Sequence, residues 1–307
     1  MVTQNNSRGA ITGAPRRLHT AASSGRNGED RGSRLVAFRR ALIPTTTLWV
    51  LATLMGFPLL WFLLSSLKHP GELFSYPLTF LPREWSFDGY QRAWERLDFV
   101  QYFTNTFIVA SVSTALTVFL CAAAGYALAK YKNPWLAVFG LCILTMTMLP
   151  GEIMLNPMFV VVRDLGLYNS LWGVIMPSIV TPTGVFMFRQ FFVSVPDELI
   201  DAARIDGAKE LSIFFRIMIP LARPILLTLA VISFQWRWND YIFPLIILSD
   251  PDRFTLQIAL RTLIGAENID WSILLAASVL SMIPLVVIYL VFQRYITSSN
   301  LNAGLKD

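Results

Sequence analysis

The sequence predicts an all-α integral membrane protein with six transmembrane helices, both termini in the cytoplasm, and a long helical loop between helices 4 and 5. Three observations lead there. Hydrophobic residues make up 54% of the 307 and charged ones only 15%, with a mean hydropathy of +0.53, too apolar for a water-soluble domain. The apolar residues fall in blocks, each at least about the ~20 residues that a helix needs to cross a bilayer. Lys and Arg gather in alternate loops, the bias that sets orientation.

The spans are read at 44–67, 104–129, 135–162, 170–192, 224–248 and 272–296, together one membrane-spanning body over 41–296. The shorter, alternating segments of a membrane barrel do not occur in the sequence. With the amino terminus inside, the inside segments carry the tail arginines from Arg8 to Arg40, then Lys130, Lys132, Arg189, Arg204, Lys209, Arg216, Arg223, Arg294 and Lys306. The outside segments hold only Lys68, Arg83, Arg92, Arg96, Arg163, Arg253 and Arg261. The net charge of +5 therefore encodes orientation, and no nucleic-acid partner is expected.

Residues 1–40 are expected to form a disordered cytoplasmic tail, rich in Gly, Ser, Arg, Asn and Thr up to residue 34 and without an apolar period there. The tail either tethers a partner or only helps to set topology. The first apolar run is too long and starts too late for a cleavable signal, so it reads as an anchor. The outside loop contains a short amphipathic helix over 88–97, with Tyr90, Trp94 and Leu97 at i, i+4 and i+7. That face suits the membrane interface or an extracytoplasmic protein.

A loop of only 130–134 makes the second and third spans a hairpin. Pro150-Gly151 breaks the third span, and Pro157 follows; Pro177 and Pro182 interrupt the fourth, Pro244 the fifth and Pro284 the sixth. Interrupted helices suit a pathway that opens at mid-membrane depth, although proline is also common in membrane helices generally. Cys121 and Cys142 fall inside spans and read as packing residues. Residues 297–307 form a second cytoplasmic tail.

The loop 193–223 is a polar island far longer than the few residues that join adjacent helices. Ser194 as N-cap, Pro196 and Asp197 predict a helix start. Leu199, Ala202 and Ala203 share one face, shallow enough for a partner backbone to approach closely. Asp206-Gly207 predicts the stop, with Gly207 in the left-handed position. A second helix follows from about Lys209, with Leu211, Phe214, Phe215 and Met218, and ends before Pro220. The acids Asp197, Glu198, Asp201, Asp206 and Glu210 balance the basic residues, a mixture that anionic lipid would not select. The product is a helix–turn–helix knob that docks a cytoplasmic partner.

The order Asp201-Ala202-Ala203-x-x-Asp206-Gly207, then Ile217-x-Ile219-Pro220, resembles the signature loop of permease subunits in binding-protein-dependent ABC importers. Asp201 stands where Glu is usual and Ile219 where Leu is usual; charge and apolarity are kept. Trp238-Asn239-Asp240 with Pro244-Leu245, Leu248-Ser249-Asp250-Pro251 and Phe254-Thr255-Leu256 are similar to the carbohydrate-uptake branch. The end Leu301-Asn302-Ala303-Gly304-Leu305-Lys306 resembles the maltose-type subunit with the short carboxy-terminal tail. The resemblance covers about residues 40–307.

It implies a multi-pass protein of the prokaryotic cytoplasmic (inner) membrane and a heteromeric complex. A second permease subunit, in a heterodimer, would complete the pathway, two ABC ATPase subunits would grip the loops, and an extracytoplasmic solute-binding protein would deliver the solute. ATP and Mg would belong to the ATPase subunits, since this sequence has no G-x-x-x-x-G-K-[ST] phosphate loop; no cofactor and no catalytic role are expected for the chain itself. ATPase coupling would fall to Asp201, Ala202, Ala203, Asp206, Gly207, Ile217 and Pro220.

Polar groups inside a span are costly and default to functional candidates. The fifth span gathers Gln235, Trp236, Arg237, Trp238, Asn239, Asp240 and Tyr241, aromatic faces beside hydrogen-bonding groups that suit a sugar. Arg237 and Asp240 are spaced to pair. Two readings stand: contact with the solute, or packing and gating of helices. Glu152, beside the Pro150-Gly151 break, is expected to make an interhelical ion pair. His19 and His69 have no ligand partners, so no metal is expected. The sequence thus points to import of a sugar or sugar derivative; glycerol-3-phosphate or another polyol derivative is the close variant. Ion-coupled secondary transport would predict inverted repeats, and an intramembrane enzyme a paired nucleophile and base; neither pattern is apparent.

Overall fold

The computed structural model describes residues 26–265 and 268–301. The chain divides into two units, ending at Leu60 and beginning at Trp61. Helix α1 (Arg26–Ser65) starts inside the stretch expected to be disordered. From Arg34 that stretch is rich in Arg, Leu and Ala, all good helix formers, and no proline interrupts it before Pro44. Residues 1–25 lie outside the described residues.

In the second unit, α2 (Asp88–Arg96) precedes α3 (Phe99–Lys130), and α4 (Pro134–Met146) and α5 (Gly151–Asp164) follow. Then come α6 (Leu171–Ile175), a 3-10 turn (Met176–Ser178) and α7 (Pro182–Ser194). The island supplies α8 (Asp197–Ile205), α9 (Glu210–Ile213), a π turn (Phe214–Met218) and α10 (Ile219–Leu221). The chain closes with α11 (Arg223–Trp238), α12 (Ile242–Ile247), α13 (Leu256–Ile264) and α14 (Trp271–Leu301). Among the described residues the secondary structure is helical, with one isolated bridge between Lys68 and Trp85. Among the described residues four helical segments are long and apolar enough to cross a membrane, and up to six are if each of two bent pairs is one span.

The prolines act unevenly. At Pro150 the third span turns by 117° between α4 and α5, a sharper break than a kink. Pro157 and Pro284 instead lie inside continuous helices, so the expected interruption of the sixth span does not occur. The fifth span breaks at Asn239–Tyr241, ahead of Pro244. Pro244 sits in the first turn of α12, where no intrahelical donor is required. The last helix continues to Leu301, into the expected tail.

Helix α3 is the mast of the second unit. Gly125 lets α3 and α7 close up: a Cβ there would lie 2.5 Å from Phe188 Cβ and 2.8 Å from Arg189 N. At the end of the bundle remote from the knob, Asn105 Nδ2 donates to the carbonyls of Asp252 and Phe254, both at 3.0 Å. Thr106 Oγ1 accepts from Leu256 N at 2.7 Å. Helix α2 packs onto α14, burying Ala93 and Leu97, and the Arg92–Asp270 ion pair (2.6 Å) ties it there. Trp94 of the predicted face is exposed and stacks on Phe99.

Candidate functional site

The knob is built from its underside outward. Ile200 and Ala203 of α8, with Ile213, Phe214 and Met218, join Tyr126 of α3 and Phe188 and Phe192 of α7 in one buried cluster. The knob is therefore fixed to the helix ends by apolar packing. Ala203, expected on the docking face, points into this core, whereas Ala202 remains exposed. The outward face of α8 carries Leu199, Ala202, Ile205 and Asp206, with Ile205 86% exposed. Ile205, which sequence reasoning passed over, is an uncovered isoleucine on a polar loop, and that incongruity was its signal.

Gly207 has φ +83°. Its N–H donates to Arg204 O and that of Ala208 to Ala203 O, both at 3.0 Å, the paired bonds of a Schellman stop. The expected helix start stands, with α8 beginning at Asp197, but its expected cap does not. Ser194 ends α7, its hydroxyl donating back to Phe191 O at 2.7 Å, and it caps nothing in α8. Asp197 and Glu198 fill the first turn of α8 instead and suit the positive end of its dipole.

The second helix does not end before Pro220. It passes through the π turn, where Ile219 N–H donates to Phe214 O, and runs to Leu221. The wider turn absorbs the donor that Pro220 lacks. Ala222 then marks a bend of 76° into α11. Ile217 is half-buried against the core and Pro220 is exposed.

Charges brace this arrangement. Lys130 Nζ donates to Val195 O and to Asp197 Oδ1, both at 2.6 Å. Arg204 bridges Glu210 Oε1 (2.8 Å) and Asp201 Oδ1 (3.1 Å), and Tyr131 Oη donates to Glu210 Oε2 at 2.6 Å. The hydrogen bond from the Lys130 ammonium holds the Asp197 carboxyl below the usual range. Bonds from Arg204 and then Tyr131 do the same for Glu210, while burial and then Glu210 push the Tyr131 phenol up. The two residues that follow the second span thus hold both helices of the knob.

The polar centre of the fifth span sorts into three groups. Trp238 is fully buried, stacked on Phe234, with Nε1 donating to Ser281 O at 3.0 Å; it packs helices. Arg237 is 8% exposed. Its Nη1 donates to Ser233 Oγ (2.7 Å) and Ser233 O (3.1 Å), its Nη2 to Thr117 Oγ1 (2.8 Å) and to Ser178 O. The expected Arg237–Asp240 pair does not form among the ion pairs of the described residues. Asp240 turns to the backbone N–H groups of Tyr241, Ile242 and Phe243 at the start of α12, where a helix amino end competes for it. Gln235, Trp236 and Asn239 are exposed along one stripe of α11, and the Tyr241 ring, half-buried beyond it, lies 5.4 Å from Arg261 Cζ. Glu152 is exposed, and the predicted ion pair is not found among those of the described residues. A groove of about 600 Å³ between α4 and α7 touches none of these residues.

A bundle of membrane-crossing helices that carries a rigid external knob and a polar seam at depth defines a transport-pathway subunit. Residues 120–300 match the family of binding-protein-dependent transport system inner membrane components. The chain is 36% identical over 259 residues to the arabinooligosaccharides transport system permease protein AraQ of Halalkalibacterium halodurans, covering 83% of this chain and 93% of that one. It is 31% identical over 250 residues to the sn-glycerol-3-phosphate transport system permease protein UgpE of Yersinia pestis, covering 79% and 89%. In three dimensions it is similar to a chain of a bacterial ABC transporter involved in the import of the acidic polysaccharide alginate. That likeness has a TM-score of 0.75 at 25% identity and covers 86% of this chain and 98% of that one. The chain belongs to this family of inner-membrane permease components of binding-protein-dependent transport systems.

Proposed function

We propose that this chain forms half of the membrane pathway of an ATP-driven importer for a sugar or sugar derivative. It crosses the membrane six times with both termini in the cytoplasm, and a second, related permease subunit completes the pathway. Two ATPase subunits, which hold the ATP and Mg, grip the exposed face of α8, and an extracytoplasmic binding protein delivers solute. The observation that carries the coupling role is the knob itself, packed through Ile200, Ala203, Phe214 and Met218 onto α3 and α7 while Leu199, Ala202 and Ile205 stay uncovered. A push on that face reaches the spans as rigid-body motion.

The exposed stripe of Gln235, Trp236 and Asn239, with Tyr241 beyond it, offers aromatic faces and amides to a sugar. The AraQ relative and the alginate importer favour carbohydrate; the UgpE relative keeps a polyol phosphate open. Gly207→Val tests the coupling. A β-branched residue at φ +83° is strained, while a Cβ there meets nothing within 4 Å. Membrane insertion should therefore persist while ATP-dependent uptake is lost. Solute movement by the purified permease without any ATPase subunit would overturn the reading.

A further inference from the structure

Helix α4 stands apart from the other spans: none of its 13 residues is buried, although nearly all are apolar. With α7 it flanks the groove of about 600 Å³ that the polar seam does not reach. Leu136, Ala137, Gly140 and Leu144 of α4 form one wall, Val185 and Phe186 of α7 the other. Lys132, just before α4, and Arg189 of α7 line the mouth, and no carboxylate is among the described residues that line the groove. Lys132 is exposed and Arg189 half-buried, and neither takes part in the ion pairs of the described residues. Asp197, within electrostatic reach of Lys132, is already bonded to Lys130 Nζ at 2.6 Å. Thr147 and Pro182 line the opposite end, where the third span turns by 117°.

We infer that this groove holds an anionic phospholipid of the leaflet on the knob's side, its phosphate between Lys132 and Arg189 and its acyl chains along α4 and α7. The length fits. The 13 residues of α4 rise about 20 Å, and one leaflet with its headgroup layer is half of ~40–45 Å. The charge fits as well. Two cations free of ion pairs at the mouth of an apolar cleft attract an anionic headgroup, and they would repel the ammonium of a zwitterionic one. Asn133 Oδ1 accepts from Trp135 N at 2.9 Å, which leaves its Nδ2 to donate to a phosphate oxygen. Trp135 beside it is 79% exposed, as aromatic rings at the membrane interface are. Between mouth and far end the walls carry only apolar side chains, which suit an acyl chain and give a sugar's hydroxyls no side-chain partner. An occupied groove braces α4 against α7, the helix whose Phe188 and Phe192 seat the knob.

The inference concerns binding, so its test is read without uptake and stands apart from the importer reading. The full chain, in the complex it forms, is reconstituted in phosphatidylcholine vesicles with a small share of phosphatidylglycerol that bears a photoactivatable acyl chain. Labelled peptides are then mapped. Label should fall on α4 and α7 within the groove, and unlabelled phosphatidylglycerol should compete for it, whereas added phosphatidylcholine or inorganic phosphate should not. Lys132→Gln and Arg189→Gln should each lower the groove label about fivefold, the scale of one basic residue near an anionic surface. The double variant should lower it about twentyfold on the same scale. Arg223→Gln, at the exposed start of α11 and outside the groove, should leave it unchanged. Ala137→Phe, which fills the cleft and keeps both cations, should lower it. Unchanged label in the double variant, or equal competition by phosphatidylcholine or inorganic phosphate, overturns the inference. So does protection by an oligosaccharide or glycerol-3-phosphate, which would assign the groove to the pathway, or cross-linking of α4 to a second permease subunit in place of lipid. Should the double variant fail to assemble, headgroup competition on the wild type decides.

Discussion

Polar groups are satisfied in opposite ways at the knob and at the polar seam. In the knob, charge meets charge: Lys130 with Asp197, Arg204 with Asp201 and Glu210. In the seam, Arg237 meets neutral oxygens alone. Solvent explains the contrast. Asp197 is 74% exposed and Asp201 63%, so their pairs are screened and hold little energy. Arg237 is shut away from water, and an unmet donor there is costly. The knob's firmness must then come from its apolar underside, and its charges serve mainly to set register. The seam's firmness comes from a few specific bonds.

The contrast can be broken first at the packing that carries both regions. Gly125→Leu would drive a side chain into Phe188 and the backbone of Arg189, at 2.5 Å and 2.8 Å from the new Cβ. Overpacking a core typically costs ~1–3 kcal/mol, and occasionally more. Here the backbone of α7 is the obstacle, so the upper end or beyond is expected. Detergent-solubilised protein should show a large fall in Tm, or no folded fraction by size-exclusion chromatography. Wild-type behaviour would show that α3 and α7 do not meet this closely.

Thr117→Val comes next. The swap keeps the shape and removes the hydroxyl that accepts from Arg237 and donates to Ser178 O. A bond to a charged group is worth ~1.5–3 kcal/mol, so Tm should fall clearly. Asp197→Asn, which weakens a pair in the knob, should leave Tm nearly unchanged. Equal effects of the two would erase the distinction between the regions.

How much of this was legible in the sequence follows the same division. The Pro150-Gly151 break and the Gly207 stop depend on local backbone chemistry, and both stand in the structure. What failed depended on partners distant in the chain. The inward turn of Ala203 is decided by Phe188 and Phe192, and the fate of Ser194 by where α7 ends. Pro220 looked like a stop and Pro284 like an interruption, yet the helix runs on from the π turn through Pro220, and a long continuous helix contains Pro284. The i, i+3 spacing of Arg237 and Asp240 suggested a pair; Thr117, 120 residues earlier, and the amino end of α12 claim them separately. Spacing along a helix reports only which residues can meet, and tertiary neighbours decide which do.

The smallest effect concerns pH, and it isolates the knob's charges from its packing. Asp197 and Glu210 are both held below their ordinary values by cationic or hydrogen-bonding partners. A depressed carboxylate contributes stability above its unfolded value, near pH 4, and loses that contribution as pH falls through the lower folded value. Between pH 7 and pH 5 the Lys130–Asp197 and Arg204–Glu210 pairs should therefore stay formed. Amide exchange over α8, corrected for its intrinsic pH dependence, should be flat across that interval and quicken modestly only below about pH 4. The cluster of Ile200, Ala203 and Phe214 does not titrate, so α8 should remain protected even when the pairs are gone. Full exchange of α8 at low pH would show that the charges, and not the apolar underside, hold the knob in place.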